Sequence, residues 1–308
     1  SLGNIVLSKI DAKGNFTGAN LSNVDVPDNA PKTVTISDCY FSDNTNDTKW
    51  GLSVQSKGAI TLKNVDAGNN AGFGISLDNH LSKTNAGVTF TGRSDRSWVG
   101  NNGGYGMNIY SLGKVVVSKI NASNNSQYGL GIDNDDEGAE KGSVIITDAE
   151  VSRNIVNDYT APNYYSLNVI SRGAITLTQV YVNGNGDRQI TDDDGDETMA
   201  VDGGAFLDNR SSTATVKPGI TLTNVDCYDN YGEGSRPGDG LVVLTYGNIS
   251  IKNIGADNNS GYGAWLDNMY SGSTGTITLA RTGTFTNQFN NNGNSGLYAQ
   301  SNAAIKVD

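Results

Sequence analysis

Apolar and polar residues alternate in short bursts along the chain, and the bursts recur. One burst is a glycine, an apolar residue, any residue, an apolar residue and then Asp-Asn: Gly-Ile-Ser-Leu-Asp-Asn at 74–79, Gly-Leu-Gly-Ile-Asp-Asn at 129–134, Gly-Ala-Phe-Leu-Asp-Asn at 204–209 and Gly-Ala-Trp-Leu-Asp-Asn at 263–268. Gly-Ala-Asn-Leu-Ser-Asn at 18–23 is a weaker copy, and sister copies start at Gly51, Gly106, Ser166, Gly240 and Gly296. A second burst follows each: Ile-Thr-Leu-Lys at 60–63, Val-Thr-Phe-Thr at 88–91, Val-Val-Val-Ser at 115–118, Ile-Thr-Leu-Thr at 175–178 and again at 220–223, Ile-Thr-Leu-Ala at 277–280. Alternation with period two predicts half-buried strands. A third short segment, such as Val65-Asp66-Ala67, completes the round.

The shortest round is 23 residues, from Gly51 to Gly74, Gly106 to Gly129 and Gly240 to Gly263. That is too short for a strand–helix–strand unit, which needs about 30 residues. It suffices for one coil of three short strands, each pairing with its equivalent one coil on, about 4.8 Å away. The expected fold is therefore all-β: a right-handed parallel β-helix solenoid of about ten coils, roughly 48 Å long. Asparagines recur ten residues after the start of the second burst, at Asn15, Asn44, Asn70, Asn125, Asn154, Asn185, Asn230 and Asn259, and after insertions at Asn102 and Asn292. Asparagine tolerates left-handed backbone and bonds nearby backbone groups, and stacked amides can bond to one another. A structural ladder at one corner is expected.

A marker serine, or threonine, falls at Ser1, Ser56, Ser111, Ser171, Thr245 and Ser301, so coils alternate in pairs. Residues 1–308 read as one β-helix domain of five two-coil units plus eight residues, starting and stopping in the same phase without strong caps. The expectation is a segment of a longer array, or ends that stack on themselves.

Composition sharpens this. Glycine supplies 39 of 308 residues, yet no period of three appears, which excludes collagen. The net charge of -11 argues against a nucleic-acid partner. No apolar run is long enough for a membrane span. Cys39 and Cys227 lie several coils apart and are expected as free thiols. His80, the one histidine, excludes multi-histidine metal sites.

The Gly-x-x-Leu-Asp-Asn and Ile-Thr-Leu-Thr-Asn-Val-Asp coils resemble the pectate-lyase-like right-handed β-helices of large bacterial surface and secreted proteins. The resemblance implies an extracellular or cell-surface setting. It does not imply one activity, because that architecture hosts lyases, hydrolases, adhesins and inert shafts. The segments that mark polygalacturonase-like and epimerase sites are missing, apart from Asp-Asp pairs in acidic loops. A pectate-lyase-like calcium cluster could be drawn from several coils.

Candidate chemistry lies in two places. The acidic loops, with Asp133, Asp135, Asp136, Glu137 and Glu140 in one and Asp192, Asp194, Asp196 and Glu197 in the other, read as solvated, with a weak Ca2+ site in the second as the alternative. The outward position of the post-glycine strand runs Asn20, Ser53, Ser76, Asn108, Gly131, Asn168 and then Phe206, Val242, Trp265, Tyr298, with Leu244 on the same face. This switch from polar to apolar reads either as a partner or glycan groove or as a face covered by the insertions at 186–203 and 231–239. A column before the glycine (Trp50, Phe73, Tyr105, Tyr128, Tyr165, Tyr262) reads as stacked structure. The leading expectation is a non-enzymatic, adhesin-like shaft with no cofactor, whose partner is itself or a neighbouring segment. The alternative is a polysaccharide-binding or polysaccharide-degrading protein using the aromatic stripe and nearby carboxylates.

Overall fold

A computed structural model describes residues 1–135, 142–155, 165–186, 190, 191, 197, 198, 203–212, 217–232 and 238–308. Every regular element among them is a strand. The second-burst segments form one parallel sheet in the order Ile5–Ser8, Val34–Tyr40, Ile60–Asp66, Val88–Thr91, Val115–Asn121, Val144–Glu150, Ile175–Tyr181, Ile220–Asp226, Ile249–Gly255, Ile277–Ala280 and Ile305–Val307. The post-glycine segments form a second parallel sheet: Ala19–Ser22, Trp50–Gln55, Phe73–Asp78, Met107–Tyr110, Leu130–Asn134, Tyr165–Ser171, Gly203–Asp208, Leu241–Leu244, Ala264–Asn268 and Leu297–Ser301. Neighbours in each sheet are successive coils, which is the topology of a parallel β-helix. A separate antiparallel pair joins Ile190–Thr191 to Glu197–Thr198.

The third segment of the coil does not make a sheet of its own. It continues the first-sheet strand beyond one residue in left-handed conformation, so that Cys39 pairs with Val65 beyond Asp38 (φ 55°) and Asn64 (φ 54°). An insertion at 92–96 separates the two parts in one coil, leaving Ser97–Trp98 as a distinct strand beside Val115–Asn121.

Period-two alternation puts one column of each strand inward. Val34, Ile36, Ile60, Leu62, Val115, Val117, Ile220 and Leu222 in the first sheet, and Leu52, Val54, Ile75, Leu77, Leu241 and Val243 in the second, are fully buried in one continuous core. Each such side chain contributes about 1.5–3 kcal/mol of burial. Cys39 and Cys227 are buried free thiols within it. Ile5, Leu7, Ala12, Ala19 and Leu21 at one end, and Phe289, Leu297 and Ala299 at the other, touch the core on one side and stay partly exposed. No described residue covers either end.

The asparagines stack at one corner. Asn70 shows the repeating node. Its Oδ1 accepts the backbone N–H (3.1 Å) and an amide N–H (2.8 Å) of Asn44. Its Nδ2 donates to Asn102 Oδ1 (3.0 Å) and to the Phe41 carbonyl (3.1 Å). The same pattern passes through Asn102, Asn125, Asn154, Asn185, Asn230 and Asn259 to Asn292. Asn15 joins through its backbone N–H to Asn44 Oδ1 (3.1 Å). The ladder asparagines themselves are not left-handed. The residue before each is: Asp43, Asn69, Asn101, Asn124, Arg153, Asp229, Asn258 and Asn291 all have φ between 54° and 59°. The bend is thus made one residue early, which leaves the ladder side chain free to turn inward.

The ladder also explains the glycine column. A Cβ on Gly51 would lie 2.6 Å from Asn70 Nδ2 and 2.5 Å from the Phe41 oxygen; one on Gly106 would lie 2.7 Å from Asn125 Nδ2. These contacts are closer than packed atoms allow, so the strand can cross the amide stack without a side chain at that point.

Candidate functional site

The Asp-Asn pair that ends alternate post-glycine strands would be the obvious source of catalytic carboxylates, and its geometry is that of a turn. Oδ1 of Asp78, Asp133, Asp208 and Asp267 accepts the backbone N–H two residues on, from His80, Asp135, Arg210 and Met269, at 2.8–3.2 Å. The asparagine that follows points inward and its Nδ2 donates to carbonyls on both sides of the loop. Asn79 reaches Ala86 O at 2.6 Å, Asn134 reaches Gly113 O at 2.6 Å and Asn268 reaches Gly275 O at 2.8 Å. In the intervening coils the marker serine takes this place and holds a tighter turn. Oγ of Ser56, Ser111 and Ser171 and Oγ1 of Thr245 accept the N–H of the glycine two residues on, at 2.9–3.3 Å. Long loop with Asp-Asn and short loop with Ser alternate, which is the physical content of the two-coil repeat. His80 is a loop residue whose Nδ1 lies 2.5 Å from Asp78 Oδ1.

The outward column of the second sheet is in the register the alternation requires: Asn168 pairs with Phe206, Phe206 with Val242, Val242 with Trp265 and Trp265 with Tyr298. It is not an open apolar stripe. Phe206, Val242 and Leu244 are buried, at 7%, 3% and 9% exposure, in a second small cluster with Tyr165, Ile170 and Trp265. Tyr165 stacks on Phe206 at 5.2 Å. Trp265 is half-buried, edge-on to Tyr298 (5.9 Å) and tilted against Tyr262 (5.6 Å). Among the apolar members of the column only Tyr298 is exposed, at 37%. Tyr165 was countable in the sequence only as a member of the column before the glycine; its ring crosses over to the neighbouring column. Asn168 Oδ1 and Trp265 Nε1, at either end of the patch, are buried without a hydrogen-bond partner.

In the first four coils that carry it, the column before the glycine is continuous. Trp50, Phe73, Tyr105 and Tyr128 follow one another at 6.0, 4.6 and 5.2 Å, and Trp50 Nε1 donates to the Tyr105 hydroxyl at 2.7 Å. Burial pushes the Tyr105 hydroxyl up from its ordinary pKa.

One carboxylate beside the aromatic patch is perturbed. Asp239, 5% exposed, accepts the Tyr262 N–H at 2.7 Å and the Tyr165 hydroxyl at 3.4 Å. Burial outweighs both bonds and pushes its pKa up to about 6. Arg210 closes on Asp208 of its own turn at 2.7 Å, whereas two other arginines pair across coils. Arg93 holds Asp66 (2.9 Å) and lies over the Tyr40 ring. Arg96, from the same insertion, holds Asp148 (2.9 Å) and Glu150 (2.8 Å). The insertion thus braces coils on both sides of itself.

Asp192, Asp194 and Asp196, and the side chain of Glu197, lie outside the described residues, as do Asp136, Glu137 and Glu140. Among the described residues no three His, Cys, Asp or Glu side chains are placed to hold a metal ion, and no helix is long and apolar enough to cross a membrane.

Residues 4–144 match the family model described as the right-handed β-helix region. No curated protein and no solved structure matches the chain. The match runs from the first strand to the start of Val144–Glu150, and the two sheets continue beyond it through the remaining coils in the same order. The fold is a right-handed parallel β-helix.

Proposed function

We propose that this chain is a non-enzymatic structural shaft of an extracellular or cell-surface protein, adhesin-like, which holds its loops at fixed spacing and takes further coils of its own kind at its ends. The observation that supports this reading most is the use made of the repeated polar residues. The ladder asparagines bond from coil to coil, the Asp-Asn pairs close the long turns and the marker serines close the short ones. The ladder amides, turn carboxylates and serine hydroxyls are committed in this way to the chain itself, and the Oδ1 atoms of Asn79, Asn209 and Asn268, which accept no bond, are buried out of a substrate's reach. A shaft of this kind requires no cofactor; calcium in the Asp192–Glu197 loop would be an addition to it.

A second reading, polysaccharide binding or cleavage, draws support from one observation: Asn168 Oδ1 and Trp265 Nε1 are a buried acceptor and a buried donor, both unpaired, on either side of an aromatic patch that ends in the exposed Tyr298. The two readings separate in one experiment. The purified chain is presented to a glycan array and incubated with acidic polysaccharides, with and without calcium. A shaft gives neither saturable binding nor new chain ends. Turnover, or binding that is lost in Trp265→Ala, would overturn the structural reading.

A further inference from the structure

We propose that a trough beside the third segment of the middle coils is a docking site for a basic peptide segment of another protein, with an arginine of that segment stacked on Trp98 and further basic side chains against Glu150 and Asp229. This inference goes beyond the shaft reading, which does not depend on it.

The residue before each left-handed bend forms a column, Gly68, Gly100, Ser123, Ser152 and Asn183, whose carbonyls accept the N–H of the bend residue one coil earlier. These side chains are absent or tied down: Ser123 Oγ accepts the Ser152 N–H (3.1 Å) and Ser152 Oγ accepts the Asn183 N–H (3.4 Å). Ser123, Ser152 and Asn183 therefore make the floor of a trough of about 430 Å3. One wall is the outward column of Trp98, Asn121 and Glu150 on successive rungs. The other is the column of bend residues, where Arg153 and Asp229 stand on either side of Gly184.

Trp98 rests on the glycines of the column. A Cβ on Gly68 would run into its Cδ1, and one on Gly100 would lie 2.6 Å from its Cζ2, so both rings of the indole lie on glycine backbone. Trp98 is half-buried and lines the trough. An indole face attracts a cation, and the surface of this protein uses its aromatics in that way: Arg93 lies over Tyr40 at 4.7 Å, Arg96 over Tyr181 at 5.6 Å and Arg210 over Tyr270 at 4.9 Å. Among the described residues no cation lies over Trp98.

The wall carboxylates keep acceptors open. Glu150 engages Oε2 alone, with Arg96 (2.8 Å) and Asn121 (3.4 Å), and its Oε1 takes no bond from a described residue. Asp229 is exposed and forms no ion pair with a described residue. The one basic group lining the trough, Arg153, leans over Gly184, its Cγ 3.7 Å from the place of a Cβ there. A π face and two open carboxylates suit a cation, and the net charge of -11 draws basic partners toward the chain. Arginine fits better than lysine, because its planar guanidinium stacks on an aromatic ring while still donating to carboxylates. From the rung of Trp98 to that of Asp229 is four coil steps, about 19 Å, a length that about six extended residues span.

The test is fluorescence anisotropy of a labelled hexa-arginine peptide titrated with the 308-residue chain and with the variants Trp98→Leu, Asp229→Asn and Arg153→Asn, melting curves showing that each is folded. Asp43→Asn is the control, an equal change of charge on the same column of bend residues but outside the trough. The chain should bind the peptide. Trp98→Leu should weaken binding about fivefold and Asp229→Asn about threefold, while Arg153→Asn should tighten it about threefold; Asp43→Asn should leave it unchanged. No binding, wild-type affinity in Trp98→Leu, or equal losses in Asp43→Asn and Asp229→Asn would overturn the proposal. So would a neutral oligosaccharide that binds where the peptide does not and is lost in Trp98→Leu. If Trp98→Leu does not fold, the opposite signs at Asp229 and Arg153 decide the matter. A chain that ignores the peptide would leave the shaft reading standing.

Discussion

The glycine before each second-sheet strand is a packing requirement rather than a source of flexibility. Its φ is ordinary, and what excludes a side chain is the amide stack of the ladder beside it. Gly51→Ala is accordingly expected to cost at least about 2 kcal/mol in chemical denaturation, since neither the Asn70 amide nor the Phe41 carbonyl can move without breaking ladder bonds. Ser166 stands in the same column, fully buried, at the one rung that accommodates a side chain. Ser166→Gly should therefore cost no more than about 1 kcal/mol. An equal loss at both positions would contradict this account of the column. The sequence shows where the glycines are. It does not show why, because the reason is a contact with residues about twenty positions on, in the next coil. The left-handed residues were misplaced by one position for a related cause: asparagine is common both at the bend and in the ladder, as in Asn69-Asn70 and Asn124-Asn125, and composition cannot separate the two roles.

At the scale of the strands, the period-two alternation was fully legible. Inward columns, outward columns and coil register follow from it directly, down to Phe206 opposite Val242. What alternation cannot report is whether an outward face is open, because that depends on side chains that cross between columns. Tyr165 does so, and with it comes Asp239, a carboxylate that no sequence pattern singles out. Its raised pKa makes a signed prediction. Between about pH 4 and pH 6 the native state holds a proton that the unfolded chain has released, so stability falls as pH rises through that window, and the loss persists above it. Asp239→Asn removes this slope. Relative to the variant, the wild type should lose on the order of 2 kcal/mol between pH 4 and pH 7, measured as the difference in unfolding free energy at each pH. A constant difference across the range would show that the Asp239 carboxyl is not held as its buried position indicates.

The whole molecule is a one-dimensional stack, in which each coil meets its two neighbours and stability is a sum of local and nearest-neighbour contributions. The ladder is the polar part of that sum, and its bonds lie in the interior, where an unpaired donor costs about 1–3 kcal/mol. The sequence disclosed the stack, the number of coils and the corner where asparagines gather. It did not disclose that the Asp-Asn and Ser positions are the closures of two kinds of turn, because their partners are backbone atoms, which leave no mark in the sequence. On the reading proposed above, these residues serve the rod itself. The most direct test is the unfolding free energy of Asn154→Ala against Asn15→Ala. At the middle rung, alanine strands the backbone N–H and amide N–H of Asn125 and the Ala122 carbonyl. At the end rung, Asn15 bonds to its neighbour through backbone alone. If these residues serve the rod, Asn154→Ala loses about 3 kcal/mol or more and Asn15→Ala less than about 0.5 kcal/mol. A small loss at Asn154, equal to that at Asn15, would contradict it.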